Sequence, residues 1–233
     1  MPILRRESTK LRTRKTGRAR AAKTQLPGGA PVSRKESQAH TRARLIEVGR
    51  EHFLRFGLSG AVAEKVAAEA GFTRGALYAN FGNMEELFVA VVQTSVDAEL
   101  VNFRSILASD RSVEERFGMM REMVGNLVTN RTWVLLQTEF QANALRNNAI
   151  RAAFLEQQHW RRMEGAALVE QFARDLGLVL SASPAEIVAV LGSLAQGLGV
   201  QEVISGSRDP EAASRLAMLC FDTLVAGAPQ SSQ

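Results

Sequence analysis

The chain holds one cysteine, Cys220, and three scattered histidines, His40, His52 and His159. A lone thiol closes no internal disulfide, and with these imidazoles it reproduces none of the usual metal-ligand spacings. No metal and no cofactor are therefore expected. Alternating β-branched and aromatic residues are nearly absent, so strands are not expected. No glycine-rich loop follows a strand and no nucleophile elbow occurs, so the chain is not read as an enzyme. The acidic pairs Glu85-Glu86 and Glu114-Glu115 stand at helix starts, where the helix dipole explains them better than acid–base chemistry. No eighteen-residue apolar run occurs either. The nearest, Ile187 to Ile204, is interrupted by Gln196, Gln201 and Glu202, so no membrane partner and a cytoplasmic location are expected.

What is abundant is helix-forming material. Ala, Leu, Glu, Arg and Gln dominate, and 45% of the 233 residues are hydrophobic against 23% charged, which suits an all-α protein with a substantial core. The charge is unevenly placed. Residues 1–40 carry eleven Lys or Arg against Glu7 and Glu36, a net +9, so a total of +5 leaves −4 for the remainder. Residues 1–37 are expected to form a basic, disordered arm, because they offer little apolar surface to bury. Such an arm can meet phosphates and release counterions, or it can be an idle leader. Deleting residues 1–35 separates the two. If the arm binds, the slope of log affinity for duplex DNA against log salt flattens by roughly two to five units per dimer. An unchanged slope over a salt series makes it a bystander.

Pro27, Gly28, Gly29 and Pro31 close the arm, and periodic sequence begins near Gln38. Leu45, Ile46, Gly49, Phe53 and Phe56 recur at three- and four-residue steps, as on an amphipathic helix that ends at Gly57. A short helix is expected from Val62 to Ala70, a second behind Thr73 as N-cap to about Asn80, and a long one from Glu85 to Leu107. Further helices are expected at 112–129, 132–146, 148–177, 184–205 and 210–226. That makes nine, in a domain at 38–98 and a larger one at 99–233.

The segment Val62 to Phe81, VAEKVAAEAGFTRGALYANF, reads as two short helices joined by a glycine turn, the helix-turn-helix plan. Val66, Ala67, Ala70, Phe72, Leu77 and Phe81 face inward. Arg74, Gly75, Ala76, Tyr78, Ala79 and Asn80 remain outside. Small residues at Gly75 and Ala76 permit close entry into a groove, and Arg74 stands at the helix start, where it can pair with guanine O6 and N7. Tyr78 and Asn80, a turn later, suit phosphate oxygens and fix register.

The stretch from Thr41 to Phe88 resembles the N-terminal domain of the tetracycline-repressor (TetR) family. Phe53 to Gly57, Val66-Ala67, Ala70-Gly71, Thr73-Arg74-Gly75-Ala76-Leu77-Tyr78, Phe81 and Glu85-Glu86-Leu87-Phe88 carry the likeness. The resemblance implies a homodimeric regulator of transcription whose paired second helices enter successive major grooves of operator DNA. It implies DNA contacts at Lys65, Thr73, Arg74, Gly75, Ala76, Tyr78 and Asn80, and a C-terminal domain that releases DNA on binding a small molecule. Two positions depart from the family pattern. Met84 stands where the family usually opens its fourth helix with lysine, and Val62 and Ala63 stand where it favours threonine.

In the larger domain, Phe103, Met119, Met123, Leu127, Trp133, Leu136, Gln137, Phe140, His159 and Met163 are the candidate ligand-pocket residues, on the adaptability of methionine and aromatic side chains. The same stripes equally suit an ordinary core. Ile187, Val190, Leu191, Leu194, Leu198, Leu216 and Leu219 line two helices whose small residues allow close approach. They suit an interior or a dimer interface, and the resemblance implies the interface. Repression is the expected mode. Activation by the same fold, or a helical adaptor that binds only protein, are the alternatives, and salt-dependent binding to duplex DNA separates the adaptor.

Overall fold

The computed structural model describes residues 34–206 and 209–225. The expected basic arm lies, up to residue 33, outside them. The described residues form nine α-helices and no strand: α1 Arg34–Gly60, α2 Ala63–Glu69, α3 Arg74–Phe81, α4 Met84–Leu107, α5 Val113–Thr129, α6 Arg131–Ala144, α7 Asn148–Leu176, α8 Pro184–Ser205 and α9 Pro210–Val225. The expected nine helices and the observed ones differ by a few residues at their ends. The largest difference is the start of α1, four residues before Gln38. Residues 34 to 40 are all exposed, so this turn has no apolar stripe to announce it.

Local chemistry sets most of the boundaries. Ser112 and Ser183 each form a capping box with the glutamate three residues on, Glu115 and Glu186. Asn83, Asn130 and Asn147 cap α4, α6 and α7 through their side-chain oxygens. Val62, before α2, makes no side-chain cap bond, as expected of a side chain without a hydroxyl. Inside α1, Gly57 breaks the helix with φ 67° and ψ 176°, a conformation that only glycine adopts without strain.

Two cores follow. Leu45, Val48 and Phe53 of α1, Val66 and Ala67 of α2, Leu77 and Phe81 of α3 and Leu87, Phe88, Val91 and Val92 of α4 build the first. Leu136, Phe140 and Ala144 of α6 and Ile150 of α7 belong to this core too. A chain of rings crosses it: Phe53 meets Phe88 at 5.1 Å, Phe88 meets Phe140 at 6.0 Å, and Phe140 meets Phe154 at 5.2 Å, all near edge-to-face. The second core lies among α4 to α9, around Met120, Trp133, Phe172, Ile187, Ala217 and Phe221. Arg121 of α5 and Asp222 of α9 pair at 2.9 Å beside it. The expected boundary between residues 98 and 99 falls inside α4, whose first half serves one core and second half the other.

Among the described residues, α8 is the one helix long and apolar enough, by length and composition, to cross a membrane. It packs instead against α5, α6, α7 and α9, and Gln196 on it donates to Thr138 Oγ1 of α6 at 2.9 Å.

Candidate nucleic-acid interface

The turn between α2 and α3 is built by its backbone. Phe72 N–H donates to the Ala67 carbonyl at 2.8 Å and Gly71 N–H to that of Ala68 at 3.0 Å, with Gly71 at φ 83°. This is the Schellman arrangement, and it satisfies carbonyls that the end of α2 would otherwise leave bare. A Cβ on Gly71 would meet nothing within 4 Å, so the left-handed backbone, not space, asks for glycine. Thr73 then caps α3, accepting from Ala76 N–H at 3.2 Å. Val66, Ala67, Ala70, Leu77 and Phe81 are buried under the motif, and Phe72 packs against them.

Outside, the sequence-selected residues all reach solvent to some degree. Lys65, Thr73, Arg74 and Gly75 are exposed, and Ala76, Tyr78 and Asn80 half-exposed. Arg74 is the first residue of α3. Its guanidinium pairs with Glu64 Oε1 of α2 at 2.5 Å and lies 5.2 Å from the centre of the Tyr78 ring. A pair this exposed contributes little net stability, so Arg74 is oriented without being committed. Gly75 has no unusual φ, and a Cβ there would meet only Thr73 Oγ1 at 3.8 Å. Nothing in the fold requires glycine at that position, whereas a closely approaching partner would.

Asn80 differs from expectation. Its side-chain N–H donates to the Ala76 carbonyl at 2.8 Å, and its Oδ1 is buried without a partner, so the amide is turned onto its own helix. Its backbone carbonyl accepts from Arg42 Nη1 at 2.9 Å, and the Arg42 guanidinium lies 4.2 Å from the Phe81 ring centre. Arg42 thus ties α1 to the end of α3, a role that nothing in its sequence context signals.

The pocket residues separate in space. Met119, Met123 and Leu127 line a cavity of about 260 Å3 between α4, α5 and the start of α6, together with Glu99. Trp133 is buried beside it, and Phe103 packs against Phe172. Leu136 and Phe140 instead fill the first core, because their face of α6 turns towards α1 and α4. Gln137 is fully buried, with Nε2 unpartnered. His159 and Met163 lie on the exposed side of α7, since Gln157, Gly165 and Leu168 take its buried side. These five therefore line none of that cavity. Ile187 departs from expectation too: it is wholly buried in the second core and has no surface to offer a partner chain. Leu191 and Leu198 are half-buried against the same core. Val190, Leu216 and Leu219 are exposed and Leu194 is partly so.

Glu139, expected among the polar groups facing a cavity, instead holds the chain past the break in α1, and Glu99 is not singled out from the sequence. Glu139 of α6 accepts the Leu58 N–H at 2.9 Å, just past the break in α1, and Asn143 Nδ2 donates to the same oxygen at 3.2 Å. Glu99 stands three residues after Val96 and four before Phe103, in the inward phase of α4, and that periodicity could have singled it out. Burial pushes its carboxyl up to about 8, against the opposing pull of Arg161 and of the Trp133 indole N–H.

A family profile described as "Bacterial regulatory proteins, tetR family" matches residues 45–91, from α1 through the motif into α4. The HTH-type transcriptional regulator YfiR of Bacillus subtilis is 27% identical over 152 residues, covering 62% of this chain and 68% of that one. The HTH-type transcriptional repressor AcnR of Corynebacterium jeikeium is 25% identical over 171 residues, covering 70% and 86%. A transcriptional regulator from Saccharomonospora viridis, solved in complex with choline, superposes with a TM-score of 0.63 at 16% identity, covering 82% of this chain and 100% of that one. The two-helix motif, the all-helical body and these likenesses agree: residues 45–91 form a DNA-binding segment of the TetR-family type, in a body similar to those of TetR-family transcriptional regulators.

Proposed function

We propose that the protein is a cytoplasmic, homodimeric repressor that leaves its operator when a small molecule occupies the α4–α5–α6 cavity. The observation that carries the DNA side of this reading is the exposed start of α3, where Arg74 is held in position and Gly75 leaves room beside it. Arg74 reads a base, Gly75 and Ala76 admit the helix to the groove, and Thr73, Tyr78 and Lys65 meet the backbone. Asn80 assists through its position more than its amide, which is engaged within α3. Repression is supported by the name of the Corynebacterium relative, and effector binding by the choline held in the Saccharomonospora fold.

The dimer is supported by the apolar exposure of α8 and α9. Two copies of α3 then meet half-sites spaced about 34–36 Å apart, or a multiple of that. Division of labour at residues 98 and 99 is functional rather than structural: the N-terminal part holds DNA and the C-terminal part holds ligand and partner.

An operator selected from a random duplex library tests the reading. Arg74→Ala is expected to weaken the operator by about 1–3 kcal/mol and random DNA far less. Tyr78→Phe is expected to weaken both alike, through a lost backbone contact. Gly75→Ala is expected to lower operator affinity without lowering thermal stability. If Arg74→Ala costs the same on operator and random DNA, Arg74 is a phosphate contact and the assignment of base reading fails.

A further inference from the structure

The cavity between α4, α5 and α6 has a chemical character that its apolar methionines alone do not convey. Glu99 of α4 and Glu122 of α5 both line it, with asparagines including Asn126, and no basic side chain does. Glu99 Oε1 is buried and has no hydrogen-bond partner. The Trp133 indole N–H, on a side chain only 3% exposed, is close enough to act on the Glu99 carboxyl but makes no hydrogen bond of normal geometry. A carboxyl group therefore stands at the wall of a small hollow, backed by an indole N–H, with its polar capacity not fully spent. Leaving such groups unsatisfied is costly, and a ligand that completes them recovers that cost.

Resting on the effector site proposed above, we infer that its ligand is a small organic cation, held by Glu99 with Glu122 and the Met119 and Met123 side chains. The carboxylates supply the charge complement, and the polarizable methionines accept the alkyl groups of an ammonium. The volume, about 260 Å3, falls just below the roughly 300–1,000 Å3 of pockets for drug-sized molecules, which sets the scale of the occupant. An anion finds no basic side chain on this wall to receive it.

With no cation bound, Glu99 is protonated at neutral pH. Burial raises its carboxyl to about 8; Arg161 from α7 and Trp133 from α6 oppose that rise without cancelling it, and Glu122 faces the same hollow from α5. An entering cation favours the carboxylate, so the Glu99 proton passes to solvent as the ion pair forms. Below pH 8 the cation must displace that proton, and apparent affinity therefore rises with pH and levels off above it.

Phenyltrimethylammonium and its neutral carbon isostere tert-butylbenzene test this, by calorimetry in buffers of different ionisation enthalpy and by tryptophan fluorescence, on the full chain. The cation is expected to bind with release of about one proton at pH 7 and to exceed the isostere roughly ten- to a hundredfold. Glu99→Gln, which keeps the shape of the protonated side chain, is expected to abolish proton release and lose that preference. Glu122→Gln is expected to weaken the cation while sparing proton release. Absence of binding at millimolar cation, equal binding of the isostere, or an unchanged Glu99→Gln variant overturns the inference. If only an anionic or neutral compound frees the operator, the cation assignment fails and ligand-controlled repression stands. If the cation binds with proton release and the operator is held as tightly as before, the site stands and the repressor reading fails.

Discussion

If the proposed homodimer forms through α8 and α9, Leu219→Glu is expected to yield a folded monomer that binds its operator far more weakly than the parent protein. In the single chain Leu219 is 61% exposed, Leu216 53%, and Val190 on the neighbouring α8 46%, so apolar side chains of two packed helices face outwards together. A charge at Leu219 disturbs nothing inside the chain, yet it would be buried without a partner in the middle of the proposed dimer contact. One recognition helix then covers only half of the operator. Specific binding commonly exceeds nonspecific binding by about 4–10 kcal/mol, so losing half of the base contacts costs roughly 2–5 kcal/mol. Light scattering and operator titration read the two effects separately. Ile187→Glu supplies the contrast: its side chain is wholly buried in the second core, and the expected result is loss of folding. A Leu219→Glu protein that remains dimeric would remove α9 from the interface.

Gly57→Ala is expected to destabilise the protein by about 1–3 kcal/mol and to loosen the join between α1 and α6. The backbone there has φ 67° and ψ 176°, and a Cβ would also stand 3.1 Å from Glu139 Oε1, the oxygen that accepts the Leu58 N–H. The substitution therefore strains the chain and displaces the carboxylate at one stroke. Gly118→Ala on α5 is the control: a Cβ there meets nothing within 4 Å, and the exchange should stabilise by roughly 0.5–1 kcal/mol. Glu139→Gln keeps an acceptor but not its charge, and is expected to cost about 1 kcal/mol. Trp133, beside the proposed ligand cavity, and Glu139, against the break in α1, share α6 six residues apart, so one helix touches both places. Both Gly57→Ala and Glu139→Gln should thus blunt ligand-driven DNA release while leaving ligand affinity unchanged. Denaturant titration and a ligand series on operator-bound protein check this.

How much of the molecule is legible before folding follows from the reach of each interaction. The helix starts at Ser112, Ser183 and Thr73 are legible because each cap oxygen meets a backbone N–H three residues away. The inward side of the motif is legible because Val66, Ala70, Leu77 and Phe81 repeat at helical spacing. Arg74 and Gly75 could be placed at the exposed start of α3 for the same reason. Other features depend on which helices cross. Ile187 and Val190 share one apolar stretch, yet packing sinks the first and leaves the second open. Periodicity reports the angle of a side chain about its own helix, and the neighbours decide whether that angle meets protein or solvent. Arg42 reaches the Asn80 carbonyl across 38 positions and Glu139 the Leu58 N–H across 81, distances at which no local pattern survives. Glu99, Trp133 and Arg161 come from three different helices, and only their convergence makes a carboxyl in α4 a buried acid. Burial is a property of the assembled body, so the chemistry of the cavity between α4, α5 and α6 could be decided only there.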